Sequence, residues 1–188
     1  SDLWSDDQQF KAATAEFGVT GICGSGIIEA VAEMFLVGLI NRTGLVDGER
    51  FPDCAWLEAD EEVYSYRLHD GPPHILITQT DVRAIQLAKA ALYAGARLLM
   101  DMLGVQTADR IVLAGAFGSY IDPKHAMVLG MIPDSPIEHV HAVGNAAGTG
   151  ARIALLSGSA RREIEALVRR VEKVETAADP GFQKSFVA

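Results

Sequence analysis

The stretch TGICGSGIIEAV, Thr20 to Val31, joins a cysteine to a Gly-Ser-Gly run and then to apolar residues. Two chemistries are open to it. A thiol at a helix N-terminus is acidified, so Cys23 could serve as a nucleophile on a strand-turn-helix elbow, with His125, His139 or His141 as its base. Alternatively, Gly24, Ser25 and Gly26 bare the first N–H groups of a helix, where the dipole favours an anion. The stricter phosphate motifs do not fit. Gly21 and Gly26 have P-loop spacing, but Ile27 and Ile28 stand where Lys and Ser/Thr are required. Glu29 replaces the small residue of the dinucleotide fingerprint, and it stands where a cysteine-phosphatase loop needs arginine. Nothing in the sequence aims a histidine at Cys23. Free cysteines are mostly buried, so a small core residue is the expectation for it.

Two more glycine clusters follow. Gly115-Ala116-Phe117-Gly118 comes directly after an apolar run, and such a turn can lay its backbone flat against a ligand. Gly144-Asn-Ala-Ala-Gly-Thr-Gly150 reads as helix-against-strand packing through small residues. Histidines offer weak metal signals. His69 and His74 flank a Gly-Pro-Pro turn, and His139 and His141 would share a strand face, yet neither pair has a third ligand nearby in sequence, so no metal site is assigned.

The elements that must position these residues alternate between strand and helix. Ser1 to Lys11 is polar and frayed, and Phe17 to Thr20 is a short strand leading into the first glycines. Gly26 to Ile40 has helical periodicity. Asn41 to Trp56 is loop-like. Val63 to Leu68 and Ile75 to Thr78 form a hairpin about Asp70-Gly71-Pro72-Pro73. Thr78 to Leu103 is the clearest helix, opened by a Thr78/Asp81 capping box and closed by Gly104. Its buried stripe is Val82, Ile85, Leu92, Ala96, Leu99 and Leu103. Ala88, Ala91, Ala94 and Gly95 give it a small-residue side, where another backbone could approach. Ile111 to Ala114 and Val140 to Val143 are strands, and Asp122-Pro123 opens a helix. Arg161 to Val171 is a charged helix, Val174 to Ala177 an edge strand, and Asp179-Pro180 starts a last helix. The pattern implies an α/β fold.

Bulk composition narrows the classes. With 188 residues the chain suits one large domain or two small lobes. Hydrophobic residues make up 49% and charged residues 22%, as in an ordinary globular protein. No apolar run spans a membrane and no basic leader opens the chain, so no membrane role is expected. Two cysteines make no disulfide framework, which fits a reducing cytoplasm. The net charge of −9 argues against nucleic acid as a partner but leaves phosphate ligands open. The chain starts at Ser1 without a methionine, as a piece of a longer protein would.

GICGSGIIEAV, ITQTDVRAIQLAKAALYAGA, IVLAGAFGSYIDPKHAMVLGMIP and VGNAAGTGARIAL occur in an order and at a spacing that resemble the C-terminal domain of the reductive activators of corrinoid proteins. These are ferredoxin-like iron–sulfur proteins with an ATPase domain of the sugar kinase/actin superfamily. The resemblance runs from Gly18 to the tail VEKVETAADPGFQKSFVA. It implies a ribonuclease H-like, actin-like ATPase lobe: a mixed sheet with flanking helices and a β-hairpin insertion. Residues 17–188 would be the C-terminal part of that domain, and 1–16 a disordered or linker-like start.

The resemblance also implies roles. Gly115, Ala116, Phe117 and Gly118 would line adenine and ribose. Gly24, Ser25 and Gly26 would face the phosphates or ribose, and Gln86 and Lys89, one turn apart, would reach the nucleoside, although a plain helix-surface role serves them equally well. The superfamily's Asp-containing phosphate loop is missing from the chain, and two cysteines cannot ligate a [2Fe–2S] centre, which takes four protein ligands. ATP or ADP with magnesium would thus be shared with an absent lobe, and the cluster would lie upstream. Catalytic residues stay unassigned. The implied function is ATP-driven return of a corrinoid protein, the expected partner, from cobalt(II) to cobalt(I), with a homodimer possible. Two alternatives stand beside it: a non-catalytic docking or dimerisation module, and a thiol-dependent hydrolase using Cys23.

Overall fold

The computed structural model describes residues 8–61, 63–115 and 117–187. They fall into two compact units that divide after Gln86.

The first unit opens with helix α1 (Gln8–Thr14), inside the stretch read as frayed or linker-like. The Gly18 N–H donates to the Thr14 carbonyl at 2.7 Å, which closes the turn after α1. That amide is then lost to any ladder, and Phe17 to Thr20 is not the expected strand. Helix α2 (Gly24–Leu36) starts two residues earlier and stops four residues sooner than its periodicity suggested. The amides of Leu39 and Ile40 both turn back onto the Met34 carbonyl, so the chain leaves the helix axis at Gly38. The buried face of α2 is Ile28, Val31, Ala32 and Met34. It shares the unit's apolar core with Leu39, Ile40, Val46, Ile77 and Val82. Each large aliphatic side chain so buried contributes about 1.5–3 kcal/mol.

Strands β1 (Leu57–Asp60), β2 (Val63–His69) and β3 (Ile75–Ile77) form an antiparallel sheet in that order. The hairpin was legible in the sequence. β1 was not, because LEAD carries neither the β-branched residues nor the alternation that mark a strand. Arg67 ties the sheet to the preceding loop: its guanidinium donates to the Ala55 carbonyl, pairs with Asp70 at 3.0 Å and lies over the Trp56 ring.

Helix α3 (Gln79–Met102) begins in the first unit and ends in the second. Its capping box is present: Thr78 donates to the Asp81 carboxylate from N at 2.8 Å and from Oγ1 at 2.6 Å, and the Asp81 N–H donates back to Oγ1 at 3.2 Å. The buried stripe differs from the expected one. Val82, Ala94 and Leu98 are buried, whereas Leu92, Leu99 and Leu103 are exposed. The small-residue side does not act as a seat for a second backbone at Gly95, where a methyl would meet nothing within 4 Å.

In the second unit, strands β4 (Ile111–Leu113) and β5 (Val140–Ala142) pair in parallel, Ile111 against Val140 and Leu113 against Ala142. Helix α4 (Pro123–Val128) carries Asp122 as its cap, the carboxylate accepting from the His125 N–H at 3.0 Å. Helices α5 (Ala146–Leu156) and α6 (Gly158–Val168) follow. The expected edge strand at Val174 to Ala177 is instead a 3₁₀ turn, Thr176–Ala178, in which the amides of Thr176, Ala178 and Asp179 bond to carbonyls two or three residues back. Helix α7 (Pro180–Phe186) closes the described chain, capped by Asp179. The architecture is α/β, as expected, with an antiparallel hairpin sheet and a parallel strand pair. No helix among the described residues is long and apolar enough to cross a membrane.

Candidate functional site

The first bend is built at the start of α2. Cys23 is the N-cap: its Sγ accepts from the Gly26 N–H at 3.4 Å and stands 3.3 Å from Ser25 Oγ. The thiol is exposed, which corrects the expectation of a core residue; the sulfur is spent on capping, not packing. The Ser25 hydroxyl, first, and the Gly26 amide, second, hold its pKa below the ordinary thiol value. Ser25 itself is buried at 8% exposure. A methyl at Gly26 would come within 3.1 Å of Ile22 and 3.3 Å of the sulfur, so both side chains would have to give by a few tenths of an ångström to admit it.

The second bend follows β4. Gly115 has φ +114°, a region that only glycine occupies without strain, and a methyl there would meet nothing within 4 Å. The chain then enters a 3₁₀ turn, Phe117–Ser119, with the Phe117 ring 52% exposed. Ser119 folds back, donating to the Gly115 carbonyl from N at 3.2 Å and from Oγ at 3.0 Å. Ala116 lies outside the described residues.

Sequence reading treated the third glycine cluster as packing. The structure joins it to the second. The Gly115 N–H donates to the Gly144 carbonyl at 2.7 Å, and the Val143 N–H donates to Leu113 at 3.0 Å, so the ladder of β4 and β5 continues past the strands. Asn145 then caps α5, its Oδ1 accepting from the Gly148 N–H at 2.9 Å. None of the α5 residues is buried, so the small residues do not serve tight packing. The signal that could have revealed this pairing was the position of both clusters immediately after apolar runs.

The helix residues are placed differently from each other. Gln86, in the first unit, donates to the Thr43 carbonyl at 3.3 Å and accepts from Arg83 at 2.6 Å, which engages it with the loop before the sheet. Lys89, in the second unit, lines a cavity of about 390 Å³ to which Gly115, Phe117 and Gly118 do not contribute. The histidine pairs split as well. His74 Nε2 lies 2.9 Å from Glu58, His69 sits near the Phe10 ring, and His139 belongs to a 3₁₀ turn (Ile137–His139) and not to the strand face of His141. Among the described residues, no group of three or more His, Cys, Asp or Glu could hold a metal.

Two glycine bends stand at the carboxyl ends of adjacent parallel strands, the edge at which open α/β sheets commonly take ligands. The family model described as "C-terminal domain of RACo the ASKHA domain" matches residues 3–188, and the chain belongs to that family, with its actin-like ATPase fold. It is 37% identical, over 89% of its length, to the corrinoid activation enzyme RamQ of Eubacterium limosum. It also superposes on the solved structure named "Reductive activator for corrinoid,iron-sulfur protein" with a TM-score of 0.79 and 33% identity, over 89% of this chain. The chain spans 30% of the length of the first of these and 27% of the second.

Proposed function

We propose that this chain is the nucleotide-binding portion of an ATP-dependent reductive activator, which returns the cobalt(II) of a corrinoid protein to cobalt(I). The names of its relatives, a corrinoid activation enzyme and a reductive activator for a corrinoid iron–sulfur protein, support the activator role. The observation that carries the nucleotide reading is the pairing of Gly115 with Gly144 at the end of the parallel ladder. It leaves a bare main-chain surface with room beside Gly115 and an exposed aromatic ring, Phe117, next to it.

The residues fit a purine nucleotide. Within the second unit, Gly115, Phe117 and Gly118 would wall the base and ribose; within the first, taken by itself, the N–H groups of Gly24 and Ser25 at the start of α2 would suit phosphate oxygens. Ala116 enters this reading by sequence alone. Gln86 and Lys89 lie on the helix before the adenosine strand; Gln86 would act through the Thr43 loop. When bound, ATP supplies the preference for one conformation over another that drives an otherwise unfavourable electron transfer. The chain's own part is to hold the nucleotide through backbone groups and to shift its bends as the ligand changes. Its donor set offers magnesium no group of three or more His, Cys, Asp or Glu among the described residues. Nor does it fit an iron–sulfur cluster, for Cys23 and Cys54 are the chain's two cysteines. In this reading both belong to other parts of the activator, and the chain alone hydrolyses ATP at a negligible rate.

Hydrogen exchange on the natural full-length protein, with and without ADP and magnesium, tests the assignment. Slower exchange at residues 23–28 and 115–119 is expected. Protection elsewhere, with both bends unchanged, would overturn it. A thiol-dependent hydrolase at Cys23 is the second reading, favoured by the exposure and lowered pKa of that thiol. Its described partners are Ser25 and Gly26, not a histidine.

A further inference from the structure

The cavity that takes Lys89 is lined wholly by residues of the second unit, from α3, Gln106, the end of α4 and the segment that follows it. Lys89, Tyr93 and Arg97 line it at successive positions four residues apart, which places them on one face of α3. Leu129, Gly130 and Asp134 also line it. Its volume, about 390 Å³, falls in the range of small-molecule sites.

Charge makes the cavity unusual. The chain carries a net charge of −9, yet two cations and one carboxylate line this hollow. Lys89 is half-buried and has no ion-pair or hydrogen-bond partner among the described residues. Asp134 is exposed and likewise unpaired, so it does not neutralise the lysine. Arg97 is held in place from the side: its Nη2 lies 3.1 Å from Asp101 and donates to Gln106 at 3.1 Å. These bonds use one nitrogen and leave Nε and Nη1 without a described partner. An ammonium with no counter-charge at the wall of a hollow is free to make charge-assisted hydrogen bonds to an anionic ligand.

We propose that this cavity is an anion site, distinct from the glycine bends, for a small organic phosphate or carboxylate. Lys89 supplies the point charge, Arg97 the second cation and the Tyr93 hydroxyl a hydrogen bond, while Leu129 and neighbouring methionines receive a compact apolar group.

Calorimetric titration of the 188-residue chain with inorganic phosphate, acetate and phenyl phosphate, in low-salt buffer, tests this. Saturable binding is expected, tightest for phenyl phosphate. Lys89→Gln should weaken it about tenfold or more, the loss expected for one charge-assisted hydrogen bond. Asp134→Asn should tighten it, and Lys124→Gln, on α4 and outside the lining, should leave it unchanged. Far-UV circular dichroism and a melting curve for each variant separate lost binding from lost fold. Absence of saturation by about 10 mM, ten times weaker than a millimolar Kd, would overturn the proposal. So would equal affinity in Lys89→Gln and the parent. ADP protection of the two bends is read separately, so failure here and failure of the nucleotide reading are told apart.

Discussion

Exchanging Gly115 for alanine is expected to destabilise the protein, although the added methyl has room. The cost lies in the backbone alone. Gly115 sits at φ +114°, and a methyl there would meet nothing within 4 Å. Holding a residue with a Cβ in such a region costs about 1–3 kcal/mol. Relaxing the dihedral offers no escape. It would break the 2.7 Å bond to Gly144 and move the carbonyl that accepts from Ser119. Gly150 provides the contrast. It lies inside α5, and a methyl there also has nothing within 4 Å. Alanine at that helical position should stabilise by about 0.4–1 kcal/mol, by restricting the unfolded chain. The same chemical change at two open glycines thus has opposite signs, with a gap of about 1.4–4 kcal/mol. Urea unfolding followed by circular dichroism reads this as midpoints on either side of the parent's, with unchanged slopes. If Gly115→Ala proved as stable as Gly150→Ala, the backbone argument would be refuted.

Two further outcomes are expected. Asp81→Ala removes a carboxylate that accepts two bonds from Thr78 at the head of α3, and should cost about 1 kcal/mol, at most about 2, in urea midpoint; an unmoved midpoint would mean the capping box is idle. Iodoacetamide should label Cys23 at pH values below the ordinary thiol range, because its lowered pKa leaves more thiolate there. Ser25→Ala removes the largest cause of that lowering, so the rate–pH curve should move upward and the rate at neutral pH should fall. A curve that stayed in place would remove Ser25 as the cause.

What could be read from the sequence was whatever depends on local chemistry. The Thr78/Asp81 box, the Asp122-Pro123 start and the hairpin around Gly71 each close within a few residues, and all three are present. What failed depends on partners distant in the chain. The periodicity of α3 offers several apolar stripes, and only packing selects Val82, Ala94 and Leu98 over Leu92 and Leu99. Cys23 looked like a core residue because composition favours that, while its role as a cap needs the Gly26 amide in a particular place. The link between Gly115 and Gly144 was hidden for the same reason, since β4 and β5 must pair before their ends can meet. Family resemblance reached the architecture, but not which helix residues would share a cavity.

The tie between residues 115 and 144 has a consequence for how the protein can be altered. It consists of peptide groups only, so no swap of functional side chains can sever it. The two loops are joined by a main-chain hydrogen bond of 2.7 Å. Uncoupling the pair requires rerouting the main chain itself, and mutagenesis confined to polar side chains would leave this connection untouched.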